Sequence, residues 1–369
     1  MPDQAYFYKG DIMKKILFAI ISISLLLALC SCNDTPPKET ADRTQHSTPA
    51  EAPTEPPSET PAHVHAHTSK VEKEPTCTEN GVTVYTCECG DTFTEAIEAT
   101  GNHQWSEWTV IKEASYNEEG EEGTYCIICG EINESKAIKT KPLKVLFIGN
   151  SFAVDTSHLA PNIAKALGVK EMRFGTLYIG GCSINKHYNN FIGEKKDYTY
   201  YLNVGGSWTT VKNYSIQRAL QETEWDYICI QHGTGDGSRY TKAASYSKLD
   251  DLVKLIKENA NENAVIAFNM AWVMEPDSTH AEMVSYGGNQ LRMYEKLTET
   301  TKNYVATVEG LDIVVPTGTT IQNARTVIKK VLTRDKFHLT KDLGRYIASM
   351  TTQCRRYRYA LCQARSIHA

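Results

Sequence analysis

From residue 143 onward, short apolar runs alternate with amphipathic stretches, which predicts an α/β fold built on a parallel sheet. Three observations carry this expectation. The apolar runs are continuous, as strands covered on both faces require. The stretches between them show the apolar spacing of helices. A break in composition near residue 140 sets this region apart from a polar first third rich in Pro, Thr and Glu, where small β-rich Cys repeats precede the α/β domain.

The expected strands run over 144–148, 172–179, 227–230, 264–269 and 312–315. Helical patterns lie over 159–167, 216–222, 246–260, 291–308 and 340–350. In such a sheet the reactive loops gather beyond the carboxyl ends of the strands. The domain is bounded at 143–350, and an atypical Arg-rich tail with Cys354 and Cys362 occupies 351–369. This tail has the texture of a truncated or frame-shifted gene end.

The start of the chain reads as an export signal. Lys14-Lys15 precedes the apolar run from Ile16 to Leu29, and Cys30-Ser31-Cys32 follows, the pattern of a bacterial lipoprotein signal over 1–32. Cleavage before Cys32 leaves small Ser31 at the cut, so Cys32 is the expected lipid-attachment residue and Cys30 the alternative. The residues before Met13 read as an upstream extension. A membrane-anchoring helix is the other reading, but the run is short for a span of roughly 20 residues. The chain is therefore expected at the outer face of a bacterial membrane, held there by its lipid. Residues 33–68 have no apolar periodicity and are expected to be a disordered tether. It closes on His63, His65 and His67, a run that can bind metal but in a polar tail is more often merely solvated.

Two imperfect repeats fill 69–140. The first runs from Ser69 through Cys77 and Gly81 to Cys87-Glu88-Cys89-Gly90. The second runs from Trp108 through Tyr116 and Gly120 to Cys126-Ile127-Ile128-Cys129-Gly130. They are similar to short His/Trp/Cys repeats found in tandem on surface proteins of Gram-positive bacteria. Cys126-x-x-Cys129 has zinc-knuckle spacing with His103 upstream, but Tyr116 stands where the first copy has Cys77, so a fourth ligand is missing. Cys87-x-Cys89 is shorter, with Cys77 and a nearby His to complete a set. Structural zinc on these residues and disulfides in an exported protein both stand as readings. Either would explain how modules with so few apolar residues fold.

Two segments of the α/β region carry reactive chemistry. The first strand runs into Gly149-Asn150-Ser151-Phe152, and Asp335-Lys336-Phe337-His338 lies near the end. A serine at a strand's carboxyl end is served by a base, and a His three residues after an Asp supplies both that base and its orienting carboxylate. Gly180-Gly181-Cys182-Ser183 follows the second strand. Gln231-His232-Gly233-Thr234-Gly235-Asp236 follows the third.

This order resembles the SGNH (GDSL-like) hydrolases, and the resemblance spans about 143–350. It is similar in particular to a mostly uncharacterised bacterial subfamily, through Tyr178-Ile-Gly-Gly-Cys-Ser183, Trp225-Asp-Tyr-Ile228 and the segment from Pro316 to Arg325. The resemblance implies a flavodoxin-like three-layer α/β/α domain. It also implies a Ser151–His338–Asp335 triad and an oxyanion hole drawn from the Ser151 and Gly181 amides, with Gly180 the neighbouring choice. Family members carry Gly-Asp-Ser where this chain has Asn150. They carry Gly-x-Asn-Asp where a Gly replaces the Asn here, so Gln231 is the expected substitute donor. Asn150, His232, Trp272, Gln322 and Asn323 are candidates to contact substrate, with Arg325 nearby; bracing of loops is the competing role for these polar groups.

The implied activity is hydrolysis of an acyl ester, expected to be acetyl, on a carbohydrate or small ester substrate. It needs no cofactor and no metal in the catalytic domain. The alternatives are a degenerate hydrolase that binds surface glycans and a carbohydrate O-acyltransferase. A formal net charge of −5 gives no sign of a nucleic-acid partner. The sequence leaves the oligomeric state open.

Overall fold

A computed structural model of the chain describes residues 64–233 and 241–353. The expected signal with Cys32, the tether up to residue 63, Gly235 of the third block and the tail from 354 lie outside the described residues. All the elements below fall within the unit that starts at Ala66. Among the described residues no helix is long and apolar enough to cross a membrane.

The Cys-containing region forms two three-stranded antiparallel sheets. The first is β1 (His67–Lys73), β2 (Gly81–Cys87) and β3 (Thr92–Ile97). The second is β4 (Thr109–Lys112), β5 (Gly120–Tyr125) and β6 (Ile132–Ile138). They share details at an offset of 39 positions, Lys73 matching Lys112 and Cys87 matching Cys126. Both first strands shift register before that Lys, at Val71/Lys73 and Val110/Lys112. Both following turns are closed by a hydroxyl: Thr76 Oγ1 accepts from the Glu79 amide and Ser115 Oγ from the Glu118 amide, each at 2.9 Å.

The α/β region follows as β7 (Leu143–Gly149), α1 (Ser151–Ser157), α2 (Ala160–Ala166), β8 (Met172–Tyr178), α3 (Ile184–Ile192), β9 (Tyr198–Val204) and β10 (Ser207–Tyr214). Next come α4 (Ile216–Leu220), β11 (Tyr227–Gln231), α5 (Lys242–Ser245), α6 (Leu249–Asn259) and β12 (Val265–Asn269). Last are α7 (Ala281–Ser285), α8 (Gln290–Asn303), β13 (Ile313–Val315), α9 (Thr317–Val327) and α10, over 343–353. The expected strands all form. Their order in a seven-stranded sheet is β10-β9-β8-β7-β11-β12-β13, parallel from β8 to β13.

The period-two alternation of each strand divides the core between two faces. Leu146 and Ile148 point to one face, with Ile228, Ile230 and Phe268, under Ile184, Phe191, Leu252 and Ile256 from α3 and α6. Val145 and Phe147 point to the other, with Phe174 and Cys229, under Ala153, Ala160 and Ala164 from α1 and α2. The result is the expected three-layer α/β/α arrangement. The helices start on side-chain caps that the sequence supplies: Asn150, Ser183, Ser215 and Asn289 each accept from a first-turn amide.

Two features depart from expectation. The antiparallel hairpin β9–β10 extends one edge of the sheet. The segment after β13, for which the sequence pattern predicts no helix, is the helix α9. From β7 the chain goes to β8 on one side and later returns to β11 on the other, so the carboxyl end of β7 lies at the switch point of the sheet.

Candidate active site

Ser151 is the first residue of α1, immediately beyond the switch point. Asn150 caps that helix, its Oδ1 accepting from the Phe152 amide at 3.0 Å. The cap directs the first turn, and with it the serine hydroxyl, out of the top of the sheet. His338 reaches this hydroxyl from a loop between α9 and α10. A bridge between Thr333 and Leu339 pinches the base of the loop, and the Arg334 amide donates to the His338 carbonyl at 2.8 Å.

A continuous hydrogen-bonded chain results. His338 Nε2 lies 2.8 Å from Ser151 Oγ, and His338 Nδ1 lies 2.7 Å from Asp335 Oδ2. The other oxygen of Asp335 accepts from the His338 amide at 2.7 Å, which fixes the carboxylate relative to the ring. Partial burial alone would raise the Asp335 carboxyl. The His338 ring and amide and the Phe337 amide outweigh it and hold the group below its ordinary value. Lys336, between the two, has φ +73°, a left-handed conformation that costs a non-glycine residue about 1 kcal/mol. An arrangement of this kind can remove a proton from a serine hydroxyl and return it to a leaving oxygen.

Gly181, the expected second amide donor, sits at φ +59° in the exposed turn after β8, a conformation that glycine adopts without strain. Asn150 ties this turn to the serine, its Nδ2 donating to the Cys182 carbonyl at 2.9 Å. Gly233, after β11, completes the cluster by its lack of a side chain. A Cβ there would stand 2.3 Å from Asn150 Nδ2. One buried amide thus keys together the turns after β7, β8 and β11.

The chain matches the family described as Domain of unknown function (DUF4886) over residues 144–364, more than half its length. It belongs to this family. A DUF4886 protein of solved structure, from Bacteroides uniformis ATCC 8492, is 32% identical with a TM-score of 0.53 over 57% of this chain and 81% of that one. More distant likenesses include a member of the lipolytic protein G-D-S-L family from Veillonella parvula DSM 2008, at 14% identity and a TM-score of 0.38 over 57% and 96% of the two chains. An acetylxylan esterase from Geobacillus stearothermophilus is 13% identical, with a TM-score of 0.37 over 57% and 92%. No curated protein sequence matches the chain.

Within the DUF4886 domain, several residues expected at the substrate hold the framework instead. Gln231 does not stand ready as an oxyanion donor. It is buried, its Nε2 donates to the carbonyls of His232 and Asn269 at 3.3 Å each, and its Oε1 accepts from Thr156 and Asn269. Asn150 is likewise buried and committed to the turns it joins. Trp272 is buried, stacks on Phe152 at 4.2 Å and donates from Nε1 to the Phe337 carbonyl at 2.7 Å, so it steadies the His338 loop rather than edging a pocket.

His232 is 2% exposed against Tyr246, and burial pushes its ring down to about 3, leaving it neutral in the core. Gln322 exchanges amide hydrogen bonds with Gln290 at 3.0 Å. Arg325 reaches Glu275, which also accepts from Thr333 at the base of the His338 loop. Asn323 lies exposed on α9, where its backbone carbonyl accepts from Thr326 Oγ1.

A residue that sequence reasoning passed over is Asp155. Buried one turn beyond Ser151, it accepts from Arg334 Nη1 at 3.1 Å, Arg345 Nε at 2.8 Å and the Leu339 amide at 2.9 Å. It therefore joins the serine helix to both flanks of the His338 loop. A lone acid in the apolar run Ser151-Phe-Ala-Val-Asp155 was the available signal, since a buried charge requires partners.

The candidate metal ligands also divide. Cys77, His103, Cys126 and Cys129 converge, while Cys87 and Cys89 lie with His65 in a separate, more exposed group.

Proposed function

We propose that this DUF4886 protein is an SGNH-type serine esterase, exported and lipid-anchored through Cys32, that removes an acetyl or other short acyl group from a carbohydrate. The single observation carrying this reading is the unbroken Asp335–His338–Ser151 hydrogen-bonded chain at the switch point of a parallel sheet.

Ser151 Oγ attacks the ester carbonyl while its proton passes to His338 Nε2, and Asp335 balances the imidazolium charge. The tetrahedral oxyanion is met by the amides of Ser151 and Gly181. The intermediate collapses as His338 protonates the leaving sugar oxygen, which gives an alcohol and an acyl-Ser151 ester. Water, deprotonated by His338, then attacks the acyl carbon, and carboxylic acid and free serine are released. Preference for a carbohydrate ester rests on the expected cell-surface location and on the small repeat modules that precede the domain.

The test compares the full chain, solubilised in a mild detergent, with its Ser151→Ala variant on p-nitrophenyl acetate and on acetylated xylan. Acetate release by the wild type that falls to background in the variant supports the proposal. Equal background release from both would overturn it.

A further inference from the structure

We propose that Cys77, His103, Cys126 and Cys129 form a structural zinc site that joins the two small sheets. The zinc would be held by Cys126 and Cys129 of the second repeat, His103 from the segment that leads into it, and Cys77 of the first repeat. The liganding atoms of all four residues lie within 4.8 Å of one another. Cys77 Sγ is 3.6 Å from Cys126 Sγ, and Cys129 Sγ is 3.5 Å from His103 Nδ1. A tetrahedral zinc with bonds of about 2.3 Å to sulfur and about 2.0 Å to nitrogen sets neighbouring sulfurs roughly 3.8 Å apart and sulfur and nitrogen roughly 3.5 Å apart. A disulfide would need its sulfurs at about 2.0 Å. The Cys77–Cys126 and Cys129–His103 separations match two edges of such a coordination tetrahedron.

The surroundings suit the ion. Cys126 and Cys77 are buried, while Cys129 and His103 are partly so, as a closed structural site requires. The amides of Ile128 and Cys129 face Cys126 sulfur, the arrangement that supports a thiolate in a knuckle turn. With Nδ1 turned to the sulfurs, His103 presents Nε2 to Glu131 at 3.5 Å, a carboxylate placed to hold the ring's tautomer. Trp105 stacks on the His103 ring, their centroids 4.8 Å apart. Three thiols and a neutral imidazole bind Zn²⁺ with loss of three thiol protons and no change of oxidation state.

The first repeat's Cys77 supplies the ligand that the second repeat lacks. Position 116, equivalent to Cys77 at the 39-residue offset, holds Tyr116, which packs on the core face of the α/β domain containing Val145 and Phe147. Each repeat thus extends the same position into the module that follows. In the first the receiver is a set of metal ligands, and in the second it is an apolar core.

The test is cobalt and zinc binding by the reduced, detergent-solubilised full chain, using Cys77→Ser, Cys129→Ser and Cys89→Ser variants. The first equivalent of Co²⁺ should give tetrahedral d–d bands and a thiolate charge-transfer band, both displaced by zinc. Cys77→Ser should lower the charge-transfer intensity by about a third, since one of three thiolates is gone. Cys89→Ser should leave the spectrum unchanged. Failure of the reduced chain to bind either metal would overturn the site. So would a spectrum that responds to Cys89→Ser and not to Cys77→Ser.

Discussion

Arg334 Nη1 stands 3.1 Å from both carboxylate oxygens of Asp155, joining the loop that carries His338 to the helix that carries Ser151. Arg345 from α10 meets the same carboxylate. The distance between base and nucleophile is therefore set by a buried ion cluster as well as by their own hydrogen bond.

Asp155→Asn should leave two guanidinium groups short of their buried counter-charge. Losses of about 3–5 kcal/mol are typical when one partner of a buried pair is removed. Urea unfolding should show a loss of that order, with turnover falling beyond what the unfolded fraction explains. A variant within about 0.5 kcal/mol of wild type would show that the cluster does not organise the loop.

Asp335→Asn keeps the shape of the side chain but removes the charge that selects the His338 tautomer. A fully buried triad loses about four decades in turnover on this change. Asp335 is 44% exposed, so water screens part of the effect, and a loss of two to four decades is expected. The readout is acetate release at saturating substrate.

Gly233→Ala would drive a methyl group into the Asn150 amide. The expected cost is about 1–3 kcal/mol, with at least a tenfold fall in turnover as the serine turn shifts. Truncating Asn150 as well should relieve the clash, so the double variant Gly233→Ala/Asn150→Ala should be less destabilised than the sum of the singles. A strictly additive pair would rule out contact as the cause.

Acid stability should depend on two core histidines. Burial pushes His187 and His232 down to about 3 each, and His232 once protonated, together with Lys186, acts further on His187. In the unfolded chain each titrates near 6.5. Below that pH the unfolded state takes up protons that the folded state refuses. Stability is thus full above pH 6.5 and is lost as the pH falls toward 3, by about 1.4 kcal/mol per pH unit for each ring. Unfolding free energies at pH 7.5 and 5.0 should show this slope, and His187→Asn should remove one ring's share. An unchanged slope in that variant would contradict the assignment.

The sheet was readable because its strands are continuous apolar runs. The serine and the Asp-x-x-His were readable because each lies within one short segment. The antiparallel edge was missed although Tyr198 to Tyr214 alternates around Gly205-Gly206, an ordinary hairpin pattern hidden among helical stretches. The amides were misassigned for a different reason. Whether Gln231 faces a substrate or a network depends on Thr156 and Asn269, which are 75 and 38 positions away, and no local pattern encodes such partners. Among the cysteines, Cys126-x-x-Cys129 with His103 and Cys87-x-Cys89 with a nearby His were legible from local spacing; Cys77 differs, lying with the ligands of the second repeat rather than with those of its own.

The matched places of Cys77 and Tyr116 give the repeat a reading direction. In this chain the cysteine at that place lies with the ligands of the next repeat, and the tyrosine packs on the α/β domain that ends the series. Such punctuation would let copies be inserted or deleted between these two positions while the last junction stays intact. The reach of the domain could then be altered by recombination without redesigning its attachment.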